Sequence, residues 1–172
     1  KKAAKKAIDD NFSHYTPVAG LPELRNAIIQ KFKRDNNLEY TADQIVTSTG
    51  AKQSLANVCL SLLNPGDEVL LPCPYWVSYN EIIKLSEGVP VEVPSTIAND
   101  FKVTPEQLEA AITTKTKLLM FSSPCNPSGT VYTQEELEKI AKMLEKYPDI
   151  YVVADEIYEH INFTDSHFSI GT

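Results

Sequence analysis

Four short stretches carry residue types that could do chemistry together. Pro72-Cys-Pro-Tyr-Trp76 holds the single tryptophan, a flat surface able to stack on an aromatic ring. Ser122-Ser-Pro-Cys-Asn-Pro-Ser-Gly129 sets Asn126 between Pro124 and Pro127. Each proline fixes its own φ and restricts its predecessor, so the amide is held stiffly. Asp155 ends the apolar run Ile150-Tyr-Val-Val-Ala154, with Tyr158 three residues on. A carboxylate there is costly unless paired, so a cation is the expected partner. Thr49-Gly-Ala-Lys-Gln53 opens a helical pattern, and a glycine before a helix N-terminus offers free N–H groups to an anion such as phosphate. Each stretch also has a plain structural reading: a rigid turn for Asn126, a core residue for Trp76, a cap or ion pair for Asp155, a tight turn beside a solvated Lys52.

The elements that must position these groups alternate. Helices are expected at Pro22–Asn36, Ala51–Leu63, Trp76–Ser86, Thr104–Ile112 and Thr133–Tyr147, from apolar spacing. Pro22 suits a first helical turn, and Lys33 and Arg34 suit the C-terminal end of the helix dipole. Thr104 with Gln107 makes a capping-box pattern. Strands are expected at Ile45–Ser48, Glu68–Leu71, Val89–Val93, Lys117–Phe121 and Ile150–Ala154, with Pro90 marking an edge or a bend. Ser95 to Val103 reads as a surface loop. This alternation implies βαβ units and a mostly parallel α/β sheet. Ligands of such sheets bind outside the carboxyl ends of the strands, where the four stretches fall. An anion cradle, a flat aromatic, a rigid amide and a carboxylate near a phenol would all be used by a phosphorylated heteroaromatic cation.

The 172 residues suffice for one domain with a real core. A net charge of −7, spread along the chain, argues against a nucleic-acid surface. No apolar run is long enough to span a bilayer, and the lysines at the start are not followed by the apolar run expected of a signal peptide. Cys59, Cys73 and Cys125 are odd in number and lack metal spacing, which suits the cytoplasm, with Cys59 a core residue. His14, His160 and His167 also lack metal spacing and read as surface residues, so no metal site is expected. The chain opens on Lys1-Lys-Ala-Ala-Lys-Lys-Ala-Ile8, like the back half of a helix, and stops at Ser169-Ile-Gly-Thr172 without a closing element. A fragment of a longer protein is the expectation.

The order and spacing of Tyr15-Thr-Pro-Val-Ala-Gly-Leu-Pro-Glu-Leu-Arg25, Pro74-Tyr-Trp76, Ser123-Pro-Cys-Asn-Pro-Ser-Gly129 and Ala154-Asp-Glu-Ile-Tyr158 resemble the class I aminotransferases. These are fold-type I pyridoxal-phosphate enzymes, and the bacterial aspartate aminotransferases are most similar. The resemblance implies a three-layer α/β/α domain, here an incomplete large domain over residues 15–172, with residues 1–14 a remnant helix and linker. It implies pyridoxal phosphate as cofactor. Backbone groups of Gly50, Ala51 and Lys52 would hold the phosphate, and Trp76 would stack on the pyridine ring. Asn126, with a cis Asn–Pro bond, and Tyr158 would reach the 3′ oxygen, and Asp155 would pair with the ring nitrogen. Tyr15 would serve the cofactor of a neighbouring subunit, which implies a homodimer. Lys52, Trp76 and Asn126 would also meet the substrates, an amino acid such as aspartate and a 2-oxo acid.

The Schiff-base lysine of this family and its carboxylate- and phosphate-binding arginines lie further downstream than Thr172, so no catalytic residue is assigned within the chain and the chain alone is expected to be inactive. Carbon–sulfur lyases and aromatic or prephenate aminotransferases share the same motifs. Ile150–Glu156 also looks like the Walker B strand of a P-loop ATPase, but Gly50-Ala-Lys-Gln53 does not supply the required G-x-x-x-x-G-K-[ST]. An inert fragment that pairs with further segments is the non-enzymatic alternative.

Overall fold

The computed structural model describes residues 1–164 and 166–172. They form two compact units, Lys1–Ser48 and Thr49–Thr172.

The first unit contains α1 (Lys2–Asp9), α2 (Pro22–Asn36) and a 3₁₀ turn at Ala42–Gln44. Pro22 starts α2, where a missing N–H costs nothing, and Asn37 ends it in the left-handed region at φ 52°. Ile45–Ser48 is not a strand. Thr47 N–H bonds to the Ala19 carbonyl at 3.0 Å, but no ladder of partners extends that contact among the described residues. A β pattern without a neighbouring strand to pair with stays extended coil. The contact explains Gly20, whose φ is +101° and whose added Cβ would overlap the Thr47 side chain.

The second unit is built from α3 (Ala51–Leu62), β1 (Glu68–Pro72), α4 (Ser78–Leu85), β2 (Val89–Val93), α5 (Pro105–Ala111), β3 (Thr116–Ser122), α6 (Gln134–Leu144) and β4 (Tyr151–Asp155). The four strands are ordered β2-β1-β3-β4, and every pair is parallel. Pro90 lies on the edge strand β2, as its missing donor requires. Alternation along the strands feeds two cores. Val69, Leu71, Leu118 and Met120 pack with Leu55 and Cys59 of α3 and Tyr79, Ile82 and Ile83 of α4. Leu70, Leu119 and Phe121 point the other way, into Leu108 of α5 and Leu137, Ile140 and Met143 of α6. Both faces are covered, so the strands read as continuous apolar runs. The result is the expected three-layer α/β/α arrangement.

Local chemistry sets the ends. Thr104 and Thr133 both make capping boxes, with Gln107 and Glu136. α4 begins at Ser78 and not at Trp76, because Tyr79 N–H closes a separate turn onto the Trp76 carbonyl at 2.9 Å. α6 stops at Leu144: Tyr147 N–H bonds back to the Leu144 carbonyl at 2.8 Å, a three-residue step that tightens the last turn. His167 is not on the surface. Its side chain is 9% exposed, with Nε2 3.5 Å from the Glu156 carboxylate.

Gly20→Ala should cost about 1–3 kcal/mol through backbone strain and overlap with Thr47. Leu60→Ala, at a position 59% exposed, should change stability by less than about 0.5 kcal/mol. Denaturant unfolding of the two variants checks the contrast.

Candidate active site

The chain leaves β1 and turns toward α4 on one face, then leaves β3 and turns toward α6 on the other. The crevice at such a reversal is where open α/β sheets bind ligands. Trp76 follows β1, Asn126 follows β3, and Asp155 ends β4 beside Ser122 in register. A cavity of about 200 Å³ opens at this edge. Five of the expected residues line it: Ala51, Trp76, Asn126, Asp155 and Tyr158. Tyr79, Ser122 and Ile157 line it as well and were not foreseen.

Each wall has a local cause. Gly50 takes φ +91° at the N-cap of α3, a conformation that L side chains rarely adopt. No side chain caps that helix; Gln53 N–H bonds to the Gly50 carbonyl at 3.1 Å, which leaves the Ala51 and Lys52 N–H groups available to a ligand. The loop carrying Asn126 closes on itself: Cys125 N–H bonds to Thr130 O at 2.9 Å and Gly129 N–H to Cys125 O at 2.8 Å. The Asn126–Pro127 bond is cis, as expected, and so are Cys73–Pro74 and Ser123–Pro124. Trp76 is half-buried and packs on the α3/α4 core. The Lys52 ammonium lies 4.8 Å from the centroid of its ring, within cation–π range. Lys52 itself borders a separate, more open hollow with Tyr75 and Glu81. Tyr15 belongs to the first unit and is fully exposed.

The partner found for Asp155 is not a cation of this chain. Its Oδ2 accepts from Tyr79 Oη at 2.8 Å and its Oδ1 from Ile157 N–H at 3.3 Å, and among the described residues no lysine, arginine or histidine pairs with it. A carboxylate has about four acceptor positions, so capacity is left for a cationic ligand. Tyr79 is 1% exposed, and burial, together with its bond to Asp155, drives its phenol well above the ordinary range. The Ser122 hydroxyl is buried at the cavity wall, next to the Tyr79 phenol. No cluster suited to a metal ion occurs among the described residues. None of their helices is long and apolar enough to cross a membrane.

A free helix N-terminus, an aromatic face, an amide and a carboxylate with spare acceptor sites fit a phosphorylated pyridinium. The class I and II aminotransferase family matches residues 1–170. The chain belongs to that family. The probable aspartate/prephenate aminotransferase of Rickettsia felis is 52% identical over 168 residues, covering 98% of this chain and 41% of its own length. The aspartate/prephenate aminotransferase of Cereibacter sphaeroides is 48% identical, over 98% of this chain and 42% of its own. The aspartate aminotransferase of Rhizobium meliloti superposes with a TM-score of 0.95 at 40% identity, over 99% of this chain and 42% of that one. The Thermus thermophilus aspartate aminotransferase with maleate gives 0.94 at 44% identity, over 99% and 44%. The chain thus spans about two-fifths of the length of these relatives. The fold is that of fold-type I.

Tyr79 escaped sequence reasoning because its spacing in the α4 pattern reads as core, and it is also core: the ring packs while the hydroxyl serves the cavity. Ser122 was quoted within its motif but carried no distinguishing signal.

Buried phenols give the fold an alkaline liability. Tyr132 is pushed up to about 12 by burial, and Tyr79 is also raised by burial. In the unfolded chain both would ionise near 10. Above that pH the unfolded state binds fewer protons, so stability should fall as pH rises from about 10 toward 12. Unfolding free energies across this range should show a shallower decline in Tyr132→Phe and Tyr79→Phe than in the parent.

Proposed function

We propose that the protein to which this chain belongs is a pyridoxal-phosphate-dependent aminotransferase that moves the amino group of aspartate to a 2-oxo acid. The observation that carries the reading is the single cavity joining Ala51, Trp76, Asn126, Asp155 and Tyr158 at the carboxyl edge of the sheet. Residues 15–172 are part of the cofactor-binding large domain, and residues 1–14 the end of a helix and a linker. A cytoplasmic homodimer, with Tyr15 serving the partner's cofactor phosphate, belongs to the same reading.

Backbone N–H groups from Gly50 to Lys52 hold the phosphate, where the helix dipole favours negative charge. Trp76 covers one side of the ring, and its packing on the core fixes that side in place. Asp155, held by two neutral donors, would pair with the protonated ring nitrogen. Asn126 and Tyr158 donate to the ring's 3′ oxygen. Bound there, pyridoxal phosphate supplies the electron sink for bond breaking at the α-carbon of an amino acid. No lysine of this chain is assigned the covalent link to the cofactor.

The substrate reading rests on Lys52. Its ammonium, over the outer part of the Trp76 environment, stands beside the cavity where the distal carboxylate of a dicarboxylic substrate would come. The Thermus thermophilus relative was solved with maleate, a four-carbon dicarboxylate. Prephenate, in the names of the Rickettsia felis and Cereibacter sphaeroides relatives, also carries a second carboxylate. An aspartate/prephenate aminotransferase is therefore the second reading, and one ammonium would serve both substrates.

In the full-length enzyme, Lys52→Ala should raise KM for aspartate roughly 5- to 150-fold, the equivalent of about 1–3 kcal/mol for a charge-assisted bond. KM for alanine should stay within about twofold of the parent. Steady-state kinetics with both amino donors decides it, and equal effects on the two would reject the role of Lys52.

A further inference from the structure

Tyr79 is the one cavity residue that touches two of the proposed cofactor contacts at once. Its ring meets Trp76 edge-on, with centroids 5.7 Å apart and planes at 88°. Its hydroxyl donates to Asp155 Oδ2 at 2.8 Å. The side chain is 1% exposed and held among α3, α4 and the sheet, so the phenol cannot swing away to solvent. We propose that Tyr79 is a positioning residue that fixes the Asp155 carboxylate in its cofactor-facing rotamer and keeps it ionised. The inference rests on the reading of Asp155 as partner of the ring nitrogen.

The physics has two parts. A hydrogen bond donated to a carboxylate favours its charged form and lowers its affinity for a proton. Oδ1 already accepts from Ile157 N–H, so with Tyr79 on Oδ2 both oxygens are anchored and the carboxylate plane is set. Each anchored oxygen keeps an acceptor position open toward the cavity. Remove the phenol, and the Ile157 N–H alone no longer fixes the plane. The half-buried carboxylate then also loses a donor that favours its charged form, and a neutral acid binds a pyridinium poorly.

The titratable groups facing this pair are few. Tyr158 comes from the turn after β4, Cys125 from the loop after β3, and Lys52 of α3 lies over the other wall residue, Trp76. None of these bonds to Asp155. A change in the pH dependence of binding on substitution of Tyr79 therefore reports on Asp155.

The test measures the affinity of apo full-length protein for pyridoxal phosphate by calorimetric titration, between about pH 4 and 8. The parent, Tyr79→Phe and Asp155→Asn are compared, together with a protein carrying 3,5-difluorotyrosine at position 79. Titrations of the cofactor itself are common to all four. Tyr79→Phe should weaken binding at neutral pH by about tenfold or more, as expected for a lost bond to a charged group. It should also move the acid limb up by about one pH unit. The more acidic difluorophenol, a stronger donor in the same packing, should move the limb down, so the inference stays testable even where the Phe variant folds poorly. A uniform loss of affinity in Tyr79→Phe with an unmoved limb would show mere packing and overturn the positioning role. So would parental behaviour of that variant while Asp155→Asn binds weakly. If Asp155→Asn binds as the parent does, the reading of Asp155 itself falls, and the role of Tyr79 with it.

Discussion

All four strands of the sheet run in the same direction, and the site depends on that constraint. Parallel strands cannot be joined by tight hairpins; each return requires a crossover, and here every crossover carries a helix. The carboxyl ends therefore emerge together at one edge, and everything that follows a strand emerges with them. Trp76, Asn126 and Asp155 are far apart in the chain and belong to different βα units. They share a cavity because β1, β3 and β4 share a direction. The reversal of strand order between β1 and β3 sends the neighbouring helices to opposite faces and leaves the crevice between them open.

Polarity at that edge is held within an otherwise apolar layer. Val69, Leu70, Leu71, Leu118 and Met120 are fully buried, so the sheet offers no water to a polar group a few residues further on. The carboxylate of Asp155 is tolerated because a phenol and a backbone N–H meet it. The Ser122 hydroxyl lies in register beside it and next to the same phenol.

Lys52 shows how one position can belong to two surroundings. Its backbone is in the first turn of α3, beside the proposed phosphate site, while its ammonium extends to the face of Trp76 and the rim of a second hollow. An exposed ammonium over an indole keeps most of its hydration, so the contact steers the side chain more than it stabilises the fold. That mobility is compatible with the substrate role proposed for Lys52.

The sequence by itself determined what depends on near neighbours. The bounds of α2, the edge placement of Pro90, the capping box at Thr104 and the buried Cys59 all follow from contacts within one turn or one strand. The motif residues could be placed at strand ends for the same reason. Tertiary structure alone decided the rest. Ile45–Ser48 has strand-like residues but finds no strand to pair with, and pairing is a property of two segments. His167 is buried against Glu156 because the chain folds back over that carboxylate, which no local pattern announces. The phenol that meets Asp155 lies 76 residues away in the chain, on a helix whose spacing reads only as core. Sequence periodicity reports which face of an element is buried. It does not report which atom on that face will meet a distant charge, because that depends on strand order and on the packing of helices across the sheet.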